Sequence, residues 1–296
     1  MSDLEKMRAQ MKSGAGFIAA LDQSGGSTPK ALALYGVEPS DYSGDEAMFQ
    51  AMHDMRARII LADDFTSDKV IGAILFERTM HDTINDTPVA ELLWKSRGVV
   101  PFLKIDKGLE PEADGVQLLK PMPGLDAVLK DASDYGIFGT KERSVINEAN
   151  AAGIARIVAQ QFEVAQVVSA AGLVPILEPE VNIHSTTKAE AEAILEAEIA
   201  KHLNALGEGV DVMLKLTLPN EPGLYDGLAQ HPRVLRVVAL SGGYSTDEAS
   251  AKLAQNTHMI ASFSRALTEG LNVKMTDAEF NAALGSNIDK IYRASV

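Results

Sequence analysis

One lysine and one pair of acids stand where they could carry out covalent chemistry on a carbonyl compound. Lys215 closes the apolar run Val212–Leu216, where desolvation lowers the pKa of an amine and frees its lone pair. Such a lysine can form a Schiff base with a ketone, although a strand-end lysine that extends its amine to solvent shows the same pattern. Glu178 and Glu180 are two residues apart on an extended segment, so their repulsion can raise one carboxyl pKa towards the acid–base range. A solvated acidic loop is the alternative for that pair.

Small polar residues follow the first apolar run of the chain. Asp22 comes directly after Phe17–Leu21, and an acid held at a strand end can orient a hydroxyl group of a ligand. The Ser24–Ser27 turn, Ser-Gly-Gly-Ser, precedes Pro29 and offers backbone N–H groups and hydroxyls to an anion at the start of a helix. A glycine turn with a helix cap would have the same sequence.

Basic residues are concentrated after the apolar runs, although the protein as a whole is acidic. A surface ion pair or a helix-start arginine would explain any one of them, but anion binding explains the group better than chance does. The residues in question are Lys104, Lys107, Lys141, Arg143, Lys215 and Arg265.

A second glycine turn lies late in the chain. Ser241, Gly242 and Gly243 follow an apolar run and precede a predicted helix, which resembles the phosphate site that the late loops of an α/β barrel build. Arg265 follows the next apolar run and is placed to bind the same phosphate.

The elements that must position these residues are short apolar runs that alternate with amphipathic segments. An open, doubly wound sheet would also give this alternation, but eight strands in 296 residues favour an α/β fold with a single (β/α)8 TIM barrel over residues 1–296. In a barrel, the carboxyl ends of all strands share one mouth. The predicted strands are Phe17–Leu21, Val70–Phe76, Val99–Ile105, Tyr135–Phe138, Leu173–Leu177, Val212–Leu216, Val234–Leu240 and Met259–Phe263.

Helical periodicity predicts helices in the segments between these strands. Two extra N-terminal helices, Pro29–Tyr35 and Asp45–Ile60, occupy the long interval after the first strand. The other predicted helices are Ser144–Ala171, Thr187–Leu206, Thr246–Gln255 and the C-terminal Thr276–Arg293.

The composition excludes several classes of function. The net charge of -14 repels nucleic acid and anionic membranes, so neither is expected as a partner. The absence of cysteine excludes thiol nucleophiles, disulfides and cysteine-ligated metals, and the six histidines show no spacing typical of a metal site. No apolar stretch is long enough to span a bilayer, and the polar N-terminus has no signal-peptide core. These features predict a soluble cytoplasmic protein.

Eight motifs, taken in order between residues 16 and 267, resemble class I fructose-bisphosphate aldolases, the lysine-dependent enzymes. Gly16–Ser27 resembles the family's Gly-Ile-Leu-Ala-Ala-Asp-Glu-Ser-Thr-Gly-Ser, and Pro175–Glu180 resembles Pro-Ile-Val-Glu-Pro-Glu. Leu214 and Lys215 fall on the Schiff-base strand. The remaining matches are Ile74–Thr79 to Ile-Leu-Phe-His-Glu-Thr, Leu103–Gly108 to Ile-Lys-Val-Asp-Lys-Gly, Lys141–Arg143 to Lys-Trp-Arg, Leu240–Gly243 to Leu-Ser-Gly-Gly, and Ser264–Leu267 to Gly-Arg-Ala-Leu.

The resemblance implies a barrel that reversibly cleaves fructose 1,6-bisphosphate to dihydroxyacetone phosphate and glyceraldehyde 3-phosphate, with no metal or other cofactor. It makes Lys215 the Schiff-base lysine, Glu178 its acid–base partner, and Asp22 the contact of the substrate's fourth-carbon hydroxyl. The implied supporting residues are Lys141 as a nearby positive charge, Lys104 for polar contacts at the mouth, Ser24 and Ser27 near one phosphate, and Ser241, Gly242 and Arg265 near the other.

The sequence also departs from the family at several positions. Gln23 stands where the family has glutamate, and Ser264 stands where it has glycine. The C-terminal tyrosine of the animal enzymes is missing, and the compact length is similar to that of a divergent bacterial branch. Two other functions stay open at this point: a Schiff-base aldolase for another sugar phosphate, and a barrel that binds sugar phosphates without turnover. Self-association is also left open.

Overall fold

The computed structural model describes all 296 residues and contains eight parallel strands in a nearly closed barrel. Each strand pairs with the next one along the chain, which confirms the predicted (β/α)8 architecture. The first and last strands lie in contact but are not joined by a ladder of backbone hydrogen bonds. The strands are β1 (Phe17–Leu21), β2 (Val70–Leu75), β3 (Val100–Lys104), β4 (Gly139–Ile146), β5 (Val174–Val181), β6 (Val212–Thr217), β7 (Val234–Leu240) and β8 (Met259–Ala261).

Helices connect the strands and cover the barrel. They are α1 (Asp3–Ser13), α2 (Ser27–Leu34), α3 (Gly44–Leu61), α4 (Glu77–His81), α5 (Val89–Glu91), α6 (Leu125–Asp134), α7 (Ala151–Ala170), α8 (Lys188–Ala205), α9 (Asp226–Ala229), α10 (Thr246–Leu253), α11 (Arg265–Thr268) and α12 (Asp277–Ser295). A π-helical segment, Leu92–Arg97, follows α5. The minor strands are a hairpin of Thr83–Ile84 with Thr87–Pro88, and Val116–Gln117, which pairs antiparallel with β4.

The core has two layers because side chains alternate across each strand. Inward residues such as Phe102 and Val238 fill the barrel, whereas outward residues such as Phe17 pack against the helices. Helix α1 closes the amino end of the barrel by inserting Met7 and Met11 into the inner layer. Apolar side chains therefore fill the amino end of the barrel interior, and polar side chains lie at its carboxyl end.

The fourth strand was predicted in the wrong place. Tyr135 is the C-cap residue of α6, and the strand begins only at Gly139, after the buried Ile137 and Phe138. The predicted strand Tyr135–Phe138 is therefore wrong. The actual strand does not show the apolar pattern used to predict strands, because its buried positions are mostly polar: Thr140, Lys141, Glu142 and Ser144.

The same error placed the predicted start of the next helix too early in the sequence. Residues 144–146 belong to β4, so the helix predicted from Ser144 begins instead at Ala151. Asn150 caps it, because its side chain accepts a hydrogen bond from the backbone N–H of Gly153 at 2.9 Å.

Other boundaries differ from the prediction by a few residues. Strand β5 continues beyond Leu177 to Val181, and β8 ends at Ala261 rather than Phe263. The two predicted N-terminal helices correspond to α2 and α3, whereas α1 and α6 were not predicted. No helix combines the length and the apolar character that crossing a membrane requires.

Candidate active site

The carboxyl ends of the strands surround a cavity of about 950 Å³. Every site residue predicted from the sequence lines it, although these residues come from positions that span most of the chain. They are Asp22, Ser24, Ser27, Lys104, Lys141, Arg143, Glu178, Lys215, Ser241, Gly242 and Arg265. The barrel topology brings them together because they lie on the inward faces of β4, β5 and β6, at the end of β3, or in the segments that follow β1, β7 and β8.

Three neighbouring strands, β4, β5 and β6, together with Asp22 at the end of β1, build a series of ion contacts at the base of this cavity. Lys215 Nζ lies 3.1 Å from Glu178 Oε1, and Lys141 Nζ lies 2.9 Å from Glu178 Oε2. Lys141 Nζ also lies 2.7 Å from Asp22 Oδ2. Parallel register produces this arrangement, since Leu177 pairs with Leu214 and the next residue of each strand then faces the barrel interior. Two lysines and two acids thus alternate in space.

The charged groups in this series of ion contacts shift one another's pKa values. Burial would raise the pKa of Asp22, but the positive charges of Lys141 and Lys215 outweigh it and hold that pKa well below its usual range. Burial would lower the pKa of Lys141, but Asp22 and Glu178 outweigh it and raise that pKa well above its ordinary value. Asp22 is therefore an ionised acceptor at neutral pH, and Lys141 is a fixed ammonium group.

The second carboxylate of the Glu178 pair has a different partner. Glu180 Oε2 accepts a hydrogen bond from Arg143 Nη1 at 2.9 Å. Burial and, more weakly, the charge of Glu178 raise the pKa of Glu180, while Arg143 opposes the shift. Of the two acids, Glu178 is the one that contacts the lysines, and Glu180 orients Arg143 at the edge of the cavity.

Most cations at the mouth are paired with acids of this chain. Lys104 Nζ donates a hydrogen bond to Asp106 Oδ1 at 2.7 Å, and Lys107 Nζ donates one to Glu77 Oε2 at 2.7 Å. Arg265 forms no ion pair within the chain and lines the open cavity. Its guanidinium group is therefore available to an anionic ligand.

The side chain of Ser27 stabilises the Ser24–Ser27 turn through hydrogen bonds. Ser27 Oγ accepts a hydrogen bond from the Ser24 N–H at 3.0 Å and donates one to the Ser24 carbonyl at 2.9 Å. Gly25 lies in the left-handed region with a φ of 52°, which favours glycine at this position. Helix α2 starts at Ser27, so the turn lies at its amino end beside the cavity.

The late glycine turn packs closely on the loop after β5. A Cβ atom on Gly242 would lie 2.8 Å from Ile183 Cγ2, so a side chain there would collide with the isoleucine. At Gly243, a Cβ atom would lie 3.5 Å from Arg265 Nη2. The turn and the unpaired guanidinium group therefore occupy one corner of the cavity, as the sequence predicted.

Sequence reasoning missed Lys30, which also lines the cavity. It lies three residues after Ser27 on α2, and residues at this spacing share one helix face. That spacing was the available signal, but a lysine near the start of a helix is too common to be singled out by itself. Thr268, on α11 next to Arg265, lines the cavity as well and was not predicted.

A buried acid lies behind the cavity, on the outward face of β4. Glu142 is fully buried, and neither of its carboxylate oxygens has a hydrogen-bond partner. Burial, reinforced by the charge of Asp106, raises the pKa of Glu142 well above its ordinary value. Because a buried carboxyl group without a hydrogen-bond partner is disfavoured in its charged form, folding favours the protonated form of Glu142.

This state predicts how stability depends on pH. Unfolding releases the Glu142 proton at any pH between the unfolded pKa, about 4.3, and the raised folded pKa, so the folded protein loses stability as the pH rises through that window. We expect Glu142→Gln to remove this loss, because the amide needs no proton. The stability advantage of the variant should grow by about 1.4 kcal/mol per pH unit within the window.

Urea unfolding at pH 5, 6 and 7 measures this effect. Glu163→Gln, an exchange of an exposed acid on α7, is the control and should show no such trend. An advantage of Glu142→Gln that stays constant with pH would contradict the protonated state of Glu142.

Comparisons with known proteins agree with this geometry. The family model described as Fructose-bisphosphate aldolase class-I matches residues 3–221. A Synechocystis protein named fructose-bisphosphate aldolase class 1 is 58% identical over 287 residues, covering 97% of this chain and 96% of the relative. The chain belongs to the class I fructose-bisphosphate aldolase family. A further member with the same name, from Porphyromonas gingivalis, is 53% identical and covers 97% of each chain.

Solved structures of aldolases share the fold. A fructose-bisphosphate aldolase from Plasmodium falciparum superimposes with a TM-score of 0.79 at 22% identity, covering 99% of this chain and 93% of that one. An archaeal fructose 1,6-bisphosphate aldolase superimposes with a TM-score of 0.58 at 9% identity, covering 98% and 99%. These two comparisons confirm the (β/α)8 barrel fold, and membership of the class I family rests on the sequence matches.

Proposed function

We propose that this protein reversibly cleaves fructose 1,6-bisphosphate to dihydroxyacetone phosphate and glyceraldehyde 3-phosphate through a Schiff base on Lys215. The observation that carries the proposal is the placement of Lys215, whose buried amine lies 3.1 Å from the Glu178 carboxylate at the base of the cavity. An imine-forming lysine beside an acid–base group has no use in a barrel that only binds sugar phosphates.

The first steps form the covalent bond. Lys215 passes one proton to Glu178, which frees the amine and leaves the acid protonated. The amine attacks the substrate ketone and gives a carbinolamine, whose hydroxyl must be protonated before it leaves as water. Glu178 supplies that proton, because its carboxyl group is already in contact with the reacting nitrogen. The product is a protonated imine.

The second stage breaks the bond between the third and fourth carbons. Asp22, which Lys141 keeps ionised, accepts the proton of the fourth-carbon hydroxyl. The electron pair of the breaking carbon–carbon bond moves to the protonated imine, so the aldehyde leaves and an enamine stays on Lys215. Protonation of the enamine carbon and addition of water then release the ketone product and the free lysine.

The phosphate groups of the substrate are assigned to two anion-binding regions. The Ser24–Ser27 turn and Lys104 are placed for one of them. Ser241, Gly242 and Arg265 are placed for the other, and Arg143 adds positive charge at the edge. The assay that tests the whole proposal is direct: purified protein should form dihydroxyacetone phosphate from fructose 1,6-bisphosphate with a higher kcat/KM than from other ketose phosphates. Turnover of a different sugar phosphate only would favour the second aldolase function considered from the sequence.

Replacement of Arg265 tests the phosphate assignment. We expect Arg265→Ala to weaken substrate binding by about 1.5–3 kcal/mol, the range for a hydrogen bond to a charged group, because the guanidinium has no competing partner in the chain. The Michaelis constant for the bisphosphate measures the loss. Arg156→Ala, which removes an exposed arginine paired with Asp114, serves as the control. An unchanged Michaelis constant for Arg265→Ala would remove Arg265 from the site.

Activity should not depend on a metal ion. In the proposed reaction, the protonated imine on Lys215 is the electron sink, and no metal is needed to polarise the substrate carbonyl. Full activity is expected after dialysis against excess chelator. Strong inhibition that added zinc reverses would contradict the Schiff-base proposal.

The proposal extends to the setting of the enzyme. We infer one catalytic domain over residues 1–296, because the cavity takes residues from β1 and its following loop through to α11. A cytoplasmic location and a sugar bisphosphate as the small-molecule partner follow from the proposed reaction.

A further inference from the structure

Gln23 and Ser264, the two residues at the cavity that depart from the family pattern, contact each other. Gln23 Nε2 donates a hydrogen bond to Ser264 Oγ at 2.7 Å, although the two residues are 241 positions apart. Both side chains line the cavity. A glutamate at position 23 has no N–H to donate, and a glycine at position 264 has no hydroxyl to accept, so the family's own pair cannot form this bond. The two departures therefore act as one unit.

This bond crosses the one junction of the barrel that lacks a β-ladder. Gln23 follows β1 and Ser264 follows β8, and these two strands are not joined by backbone hydrogen bonding. Gln23 precedes Ser24 of the first anion-binding region, and Ser264 precedes Arg265 of the second. The relative position of the two regions consequently depends on side-chain contacts across this junction.

A buried arginine fixes one side of the contact. Arg56, on α3, is 3% exposed and donates a hydrogen bond from Nη2 to the Gln23 carbonyl at 2.6 Å. The same nitrogen approaches Gln23 Oε1 at 3.4 Å, and Nη1 donates to Thr79 Oγ1 at 2.7 Å. Arg56 thereby holds both the backbone and the amide oxygen of Gln23, which leaves the amide nitrogen to donate to Ser264 and, at 3.3 Å, to the Ala20 carbonyl.

We propose that Arg56, Gln23 and Ser264 form a clasp that positions the two anion-binding regions at the separation a ketose with two phosphates requires. The three are positioning residues: they act through Ser24 and Arg265 rather than on the reacting carbons. The clasp gives the extra helix α3 a function in substrate selection. This inference rests on the proposed aldolase function, because it assigns both regions to one substrate.

Two single variants and their combination test the clasp. Gln23→Leu and Ser264→Ala each remove the bond, and kcat and KM are measured with fructose 1,6-bisphosphate and with fructose 1-phosphate. Each variant should reduce kcat/KM for the bisphosphate about fivefold more than for the monophosphate, the worth of one hydrogen bond. The double variant should lose no more selectivity than Gln23→Leu alone, because that variant already removes the one contact that Ser264→Ala removes. Ser264→Thr, which keeps the hydroxyl, should retain the selectivity.

The controls separate a positioning role from a structural one. Ser13→Ala removes a hydroxyl at the opposite end of the barrel and should leave the selectivity unchanged. Equal losses for both substrates, additive losses in the double variant, or unchanged selectivity in both single variants would each overturn the clasp. If the unaltered protein cleaves the bisphosphate while the clasp variants keep its selectivity, only the clasp is wrong. If the unaltered protein cleaves neither ketose, the proposed function fails and the clasp fails with it.

Discussion

Replacing Lys215 by methionine is expected to abolish both the cleavage of fructose 1,6-bisphosphate and the adduct that borohydride traps. Methionine keeps the length of the side chain but has no amine, so no imine can form and the electron sink for carbon–carbon cleavage is lost. The side chain is buried on the inward face of β6, where methionine packs well. The loss of activity should therefore occur in a folded protein.

The measurement combines kinetics with mapping of the modified residue. Substrate and borohydride are added to the unaltered protein, and mass analysis of its peptides should place the adduct on Lys215. Circular dichroism confirms that Lys215→Met is folded, and Lys201→Met, an exchange of an exposed lysine on α8, is the matched control with full activity. A trapped adduct on Lys104 or Lys141 would mean that the covalent role is assigned to the wrong lysine.

Glu178→Gln should slow adduct formation by about 10²–10⁴, the usual worth of general acid–base catalysis. The amide keeps the shape of the side chain, but it can neither take the proton of Lys215 nor deliver one to the carbinolamine. It also removes a negative charge that lies between the ammonium groups of Lys141 and Lys215. Because no carboxylate is left beside Lys215 to take its proton, the free amine should form by a slower route through solvent.

The site of modification distinguishes this role from a structural one. In Glu178→Gln the adduct should still form on Lys215, only at a lower rate, which time-resolved borohydride trapping measures. Glu208→Gln, which changes an exposed acid in the turn before β6, is the control. An unaltered rate of adduct formation would assign the proton transfer to another group and leave Glu178 as a structural partner of the two lysines.

The alternation of acids and lysines explains how one site holds an ionised acid and an acid–base group together. Asp22 contacts Lys141, and Glu178 contacts both Lys141 and Lys215. Lys141 is thus the shared partner that keeps two carboxylates close to each other in a buried site. Without such a cation, desolvation and mutual repulsion would favour protonation of one of them.

The sequence by itself determined most of the barrel and many of the residues that line the cavity at its mouth. Seven of the eight strands were recognisable because strands covered on both faces are continuous apolar runs. The fourth was not, because β4 carries Lys141 towards the cavity and buries Glu142 behind it, so polar residues occupy both of its faces. Residues that line the cavity could be predicted without coordinates because parallel strands in a barrel place their carboxyl ends at one mouth.

Only the tertiary structure decided which of these groups touch. The pairing of Glu178 with two lysines and of Glu180 with Arg143 depends on strand register and on side-chain direction. The bond from Gln23 to Ser264 joins residues from opposite ends of the chain across a junction with no backbone ladder. Sequence patterns report burial and periodicity, which are local properties. Contacts between distant side chains depend on how the closed barrel places its strand ends, and that geometry exists only once the chain has folded.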